Sequence, residues 1–185
     1  MFNNKKFVAM KRLGIALVVV FGVEAGCASG GSKEDKMIME CAKLYAGAFE
    51  LFYDVWTPWV EKAKAQGTLD DSDVWEAHAE HRLTMEVVVR NAVNYCSEDG
   101  EVTEFDICKG VKDLNAEDRE LLFSLLNVSD PMELAKMIYG HYAAMPKSFE
   151  LKKEEGDTPS YYNEEYNVRV YIMDGVIEAC PYFRI

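Results

Sequence analysis

The chain predicts a mainly α fold: an antiparallel hairpin of two long helices, shorter helices after it, and a small C-terminal β-hairpin. Three observations predict it. Ile38, Cys41, Tyr45, Ala48, Phe52, Val55 and Trp59 recur at alternating steps of three and four, the period of one apolar helix face. Val74, His78, His81, Met85, Val88, Ala92 and Tyr95 repeat that rhythm. Near the end, Val168, Val170 and Ile172 alternate with Arg169, Tyr171 and Met173 before Asp174-Gly175, which is strand periodicity running into a hairpin turn.

The elements follow in order. Met10-Lys11-Arg12 is a short basic start, and Leu13 to Val23 is an uncharged apolar run of 11 residues. That is well short of the roughly 18 residues a membrane-spanning helix needs. Ala25-Gly26-Cys27 closes the run. A basic region, an apolar region and small residues describe a secretory signal over residues 1–26. This segment resembles the signals of bacterial lipoproteins, whose lipobox ends in two small residues and a Cys. Glu24 stands where that class carries Leu, Val or Ile. The resemblance implies that Cys27 is acylated and becomes the new N-terminus, anchoring the protein to a membrane through its lipid. Ala28 and Ser29 lack the Asp that retains many such proteins at an inner membrane, which implies the outer membrane of a Gram-negative host. Ordinary signal cleavage after Ala25 is the alternative.

Residues 27–32 form a Gly/Ser tether, and residues 33–185 form a single mainly helical domain. The first helix is expected from about Lys33 to Gln66, with Pro58 kinking or ending it because it lacks the N–H that would bond the Asp54 carbonyl. Gly67 fits a C-terminal stop. Asp70, Asp71, Ser72 and Asp73 offer caps for a second helix from about Ser72 to Tyr95. Ser97-Glu98-Asp99-Gly100 is a turn. Thr103 to Lys109 reads as a short helix stopped by Gly110. Asn115 caps a helix over Ala116 to Leu126, and Asp130-Pro131-Met132-Glu133 starts another that runs to about Ala144. Lys147 to Ser160 reads as a loop. The β-hairpin occupies about residues 166–183, with Met173 opposite Val176 and with Val168, Val170, Ile172, Ile177 and Ala179 on the face that packs against the helices.

Charge narrows the function. The chain has 20 Lys and Arg against 32 Asp and Glu, a formal charge of −12. Residues 1–26 hold Lys5, Lys6, Lys11 and Arg12 against Glu24, so the remaining 159 residues carry −15. Nucleic acid is excluded as a partner, since its phosphates need a basic face. A cationic partner is attracted. Of five Cys, Cys27 is taken by the lipid, and Cys41, Cys96, Cys108 and Cys180 form an even set suited to two disulfides in an exported chain. The hairpin turns near Leu69, with Cys41 28 residues before it and Cys96 27 after it. At 1.5 Å per residue the two arrive at one level. The expected pairing is therefore Cys41–Cys96 with Cys108–Cys180; the rival is Cys96–Cys108 with Cys41–Cys180.

Candidate sites are few. His78 and His81 stand three apart on one helix, a spacing that suits a metal. Both also lie on the apolar stripe near Trp56 and Trp59, where a packed core histidine is the plainer reading. Met137, His141 and Met145 share a face at four-residue steps, a soft donor set that suits copper and equally a core stripe filled by Met. Glu50 with Asp54, and Glu76 with Glu80, are carboxylate pairs one turn apart. Solvated faces are their default. Tyr161, Tyr162, Tyr166, Tyr171, Tyr182 and Phe183 cluster near Glu164 and Glu165, a surface suited to a basic partner or a glycan. No nucleophile or phosphate-loop motif stands out, and no catalytic residue or cofactor is expected. The sequence thus points to a non-enzymatic envelope protein that binds another protein. The alternatives are an inhibitor or immunity protein against a cationic toxin or hydrolase, and a metal-handling protein using the His and Met sites.

Overall fold

The computed structural model describes residues 33–96, 101–154, 160–173 and 176–181, with side chains undescribed at 173 and 176–181. The segment read as an export signal, Cys27, the expected tether, the Asp174-Gly175 turn, Tyr182 and Phe183 lie outside the described residues. Within them, five helices precede a four-stranded antiparallel sheet. The helices are α1 (Lys33–Ala65), α2 (Val74–Tyr95), α3 (Glu104–Lys112), α4 (Ala116–Leu126) and α5 (Pro131–Ala144). The strands β1 (Lys152–Glu154), β2 (Ser160–Asn163), β3 (Val168–Met173) and β4 (Val176–Pro181) lie side by side in chain order. The fold is mainly helical with a small C-terminal sheet, as the periodicities predict.

The centre of the molecule is α1. Leu44, Tyr45, Ala46, Gly47, Ala48 and Phe49 are buried in succession, so this stretch is covered on every side and not along a single stripe. Helices α2, α4 and α5 pack on it, as do β3 and β4. Close approach to α5 depends on Gly47, where an added Cβ would lie 2.6 Å from the Tyr142 nitrogen. Helix α1 runs unbroken through Pro58. The expected stop does not occur: Asp54 and Pro58 are both exposed, so water can take up the carbonyl that Pro58 leaves unbonded.

Helix α2 turns back along α1. Trp56 and Trp59 meet the His81 ring at 5.2 Å each, and the Tyr45 hydroxyl donates to Glu86 at 3.2 Å farther up. The hairpin is antiparallel, yet α2 shares a more extensive contact with α3. Gly110 makes that contact possible. A Cβ there would stand 2.7 Å from the Ala92 nitrogen and 2.8 Å from the Val88 oxygen. Helix α3 accordingly continues through Gly110, which serves close packing and not the expected stop. Asn91 ties the two helices by donating to the Gly110 carbonyl at 3.2 Å.

Asn115 and Asp130 cap where the sequence puts them, whereas Thr103, read as the first helical residue, is instead the N-cap of α3. Thr103 and Asp106 form a reciprocal box on α3, Asn115 accepts from the Asp118 nitrogen, and Asp130 accepts from the Met132 and Glu133 nitrogens. Among the acids ahead of α2, Asp73 makes no side-chain cap, while Asp71 pairs with Lys64 at 2.5 Å.

The expected hairpin is the second half of a larger meander. Met173 faces Val176, Ile172 faces Ile177 and Val170 faces Ala179, the expected register. Val168 and Val170 are fully buried, so this face packs on α1. The surprise is β1, which lies within the segment read as a loop, and β2, which starts at that segment's last residue, Ser160, and precedes the expected hairpin. Tyr161 pairs with Val170 and Lys153 with Tyr161, which extends the sheet outward. No helix among the described residues is long and apolar enough to cross a membrane.

Candidate binding cleft

One concave surface combines chemistry from distant parts of the chain. Helix α1 forms one wall. Glu50, Tyr53 and Asp54 fall within one turn of it, above the Tyr45–Phe49 pair, whose rings stack at 4.3 Å. The turn between β2 and β3 forms the other wall with Glu165, Tyr166 and Asn167. That turn is held by its own side chains. Asn163 accepts from the Tyr166 nitrogen at 3.0 Å and donates to the Glu150 carbonyl at 2.9 Å. Asn167 takes a left-handed φ of 50°, which Asn tolerates better than most residues. Tyr166 leans on Phe149, ring to ring at 5.2 Å.

The cleft has a volume of about 520 Å³ and is open to solvent. Among the described residues its lining holds Glu50, Asp54 and Glu165 and not one Lys or Arg. His141 of α5 stands beside it, with Nδ1 4.0 Å from Glu50. Burial, then Glu165 and Glu50, push the Tyr166 hydroxyl above its ordinary pKa. Carboxylates of both walls therefore act on one ring. Tyr53 is 43% exposed, and burial of the remainder raises its pKa as well.

Of the sequence-derived candidates, Glu50, Asp54, Glu165 and Tyr166 line the cleft and His141 stands beside it; the His78/His81 pair, Met137 and Met145 fall elsewhere. His81 is buried between Trp56 and Trp59, and its Nδ1 donates to the Ala77 carbonyl at 2.7 Å. His78 is ringed by Phe52, Tyr53, Trp56 and Trp75 at centroid distances of 5.3 to 6.4 Å. Burial holds both imidazoles below their ordinary pKa. The pair is embedded in an aromatic layer that locks the turn end of the hairpin. Met137 and Met145 pack against the core. Among the described residues no three His, Cys, Asp or Glu gather as a metal site.

Cys41, Cys96 and Cys108 are free thiols in this structure. Cys41 and Cys96 interact electrostatically. Burial and then Cys96 push Cys41 up to about 12, while burial, Asp106 and Glu40 push Cys96 up to about 12. Neither supplies a thiolate near neutral pH. The Cys180 side chain lies outside the described residues. The backbone register sets Cys180 opposite Arg169, in the row that alternates with core-facing Val168 and Val170.

The acid pair Glu50/Asp54 and the Tyr-rich segment are each visible in the sequence. Their meeting is not, because nothing local to either specifies how the sheet lies on α1. No family model, curated protein or solved structure matches the chain.

Proposed function

We propose that this chain is an exported, lipid-anchored envelope protein that works by binding another protein and not by catalysis, and that its partner is basic. The observation that carries the reading is the cleft between α1 and the β2–β3 turn, with acid on both walls and no base among its lining residues. It sits in a protein of formal charge −12. Like charge at this density repels other acidic surfaces, polyphosphates and anionic lipid, and steers cationic proteins inward. The same feature favours a specialised form of the reading, an inhibitor or immunity protein that occupies a cationic toxin or hydrolase. The lipid anchor at Cys27 rests on the lipoprotein-like signal and would hold the cleft near a membrane surface.

Affinity capture from envelope extract, with protein carrying its native N-terminus, tests the reading. Retention of a basic protein that is released by moderate salt is the expected result. Retention of nothing, or only of acidic proteins, overturns it. Intact mass of membrane-extracted protein tests the anchor. A diacyl or triacyl addition at Cys27 is expected, and a soluble product beginning at Gly26 refutes lipidation while sparing export.

A further inference from the structure

We propose that the cleft between α1 and the β2–β3 turn seats an arginine side chain presented by the partner protein. The inference rests on the reading of this chain as a binder of a basic protein, and adds where the contact is made and through which group. Size allows it: about 520 Å³ admits a guanidinium and its aliphatic stem. Charge demands a cation. Glu50 and Asp54 stand one turn apart on α1 and Glu165 stands on the opposite wall. Among the described residues Asp54 and Glu165 have no ion-pair partner, and Glu50 has only His141 at 4.0 Å. Uncompensated carboxylates in a concave, partly apolar surface focus their field on whatever enters. Tyr53 and Tyr166 add ring faces, which attract cations through their quadrupoles.

Arginine fits better than lysine. A guanidinium is flat and weakly hydrated, so it can stack on a tyrosine while its fork donates to carboxylates on two sides. An ammonium is a compact, strongly hydrated charge that gains less from a ring face. The protein builds this arrangement for an arginine of its own. The Arg169 guanidinium lies over the Tyr162 and Tyr171 rings at 5.2 and 5.9 Å, and donates to Glu154 at 2.7 Å. The cleft presents the same components, two tyrosines and a set of carboxylates, with space where the arginine would be.

The test titrates the full chain with N-acetylarginine amide, and in parallel with N-acetyllysine amide, following tyrosine ring signals by NMR. Saturable shifts confined to Tyr53 and Tyr166, with tighter binding of the arginine probe, are expected. The double variant Asp54→Asn/Glu165→Gln should lose about tenfold in affinity, the equivalent of one charge-assisted contact. Both residues are exposed, so its melting temperature should match the parent. Tyr53→Leu, which removes a half-exposed ring that also packs on Phe49, Phe52 and His78, should erase the preference for arginine over lysine, with a urea midpoint measured beside it to show that the fold is kept. Shifts scattered over the acidic surface, or equal affinity in parent and double variant, overturn the proposal. Envelope capture separates it from the broader reading. If parent and double variant retain the same basic protein equally, the cleft assignment falls and the binding reading stands. If the arginine probe binds in the cleft but no basic protein is retained, the binding reading falls and the guanidinium site stands.

Discussion

Two glycines inside helices have opposite roles, and the difference lies in what faces them. Gly47 opposes the Tyr142 backbone, with Cβ room of only 2.6 to 2.8 Å to its nitrogen and Cα. Backbone cannot step aside as a flexible side chain can. Gly47→Ala should therefore push α5 off α1 and cost ~1–3 kcal/mol, the range for overpacking. Gly140, in α5, has nothing within 4 Å of its Cβ position. There Gly140→Ala should stabilise by ~0.5–1 kcal/mol by removing the entropy cost of helical glycine. Urea unfolding of the two variants checks both signs. A sequence reader sees two glycines in amphipathic patterns and no reason to separate them. Gly110 illustrates the same gap: after Lys109 it looks like a stop, and only the nearness of Val88 and Ala92 shows that it is a contact.

At the scale of the element, α1 was legible as a helix but not as the central one. Its stripe from Ile38 to Trp59 is one face; the signal for all-round burial is the apolar and small residues off that stripe, Leu44, Ala46, Gly47 and Leu51, since a helix apolar on every side must be enclosed. At the exposed Pro58 the helix continues although proline costs about 3 kcal/mol in a helix interior, a cost met by packing elsewhere along α1. Pro58→Ala should accordingly raise stability, by up to ~3 kcal/mol, seen as a higher urea midpoint at unchanged slope. Strands β1 and β2 were illegible for the converse reason. Lys152, Lys153 and Glu154 are all exposed and show no alternation, so their strand state is imposed by the neighbouring edge. In α2, the histidines predict a pH response. His78 and His81 have folded pKa values below the ordinary 6.5, chiefly through burial. The unfolded chain thus binds protons first as pH falls, and stability should decline from about pH 7 through the His range. Glu86, whose pKa is raised by burial against the pull of Arg82 and Tyr45, acts oppositely nearer its own range, where protonation favours the folded state. A His81→Gln variant should show a shallower loss between pH 7 and pH 5.5. An unchanged slope would mean that the histidines titrate alike folded and unfolded.

For the whole molecule, the cysteines set the next question. Cys96 acts electrostatically on Cys41, while the thiols are unjoined in this structure. At alkaline pH, where the raised thiols begin to ionise, a disulfide donor, in an exchange that consumes two thiols and returns two, should link Cys41 to Cys96. The closed loop is long enough for about 4 kcal/mol in the chain-entropy model. Non-reduced peptide mapping checks it, and a Cys96–Cys108 peptide would show that the rival alignment prevails. The central position of α1 also imposes an order in time. It is made first, yet β3 and β4, which cover it, end only at Pro181. At ordinary rates of synthesis the ribosome needs on the order of ten seconds to supply them. Through that interval the central helix of the domain lacks the strands that complete its cover. Contacts between the two ends of a chain are slow to close. A protein arranged in this way cannot complete the packing around its central helix until its last strands have emerged.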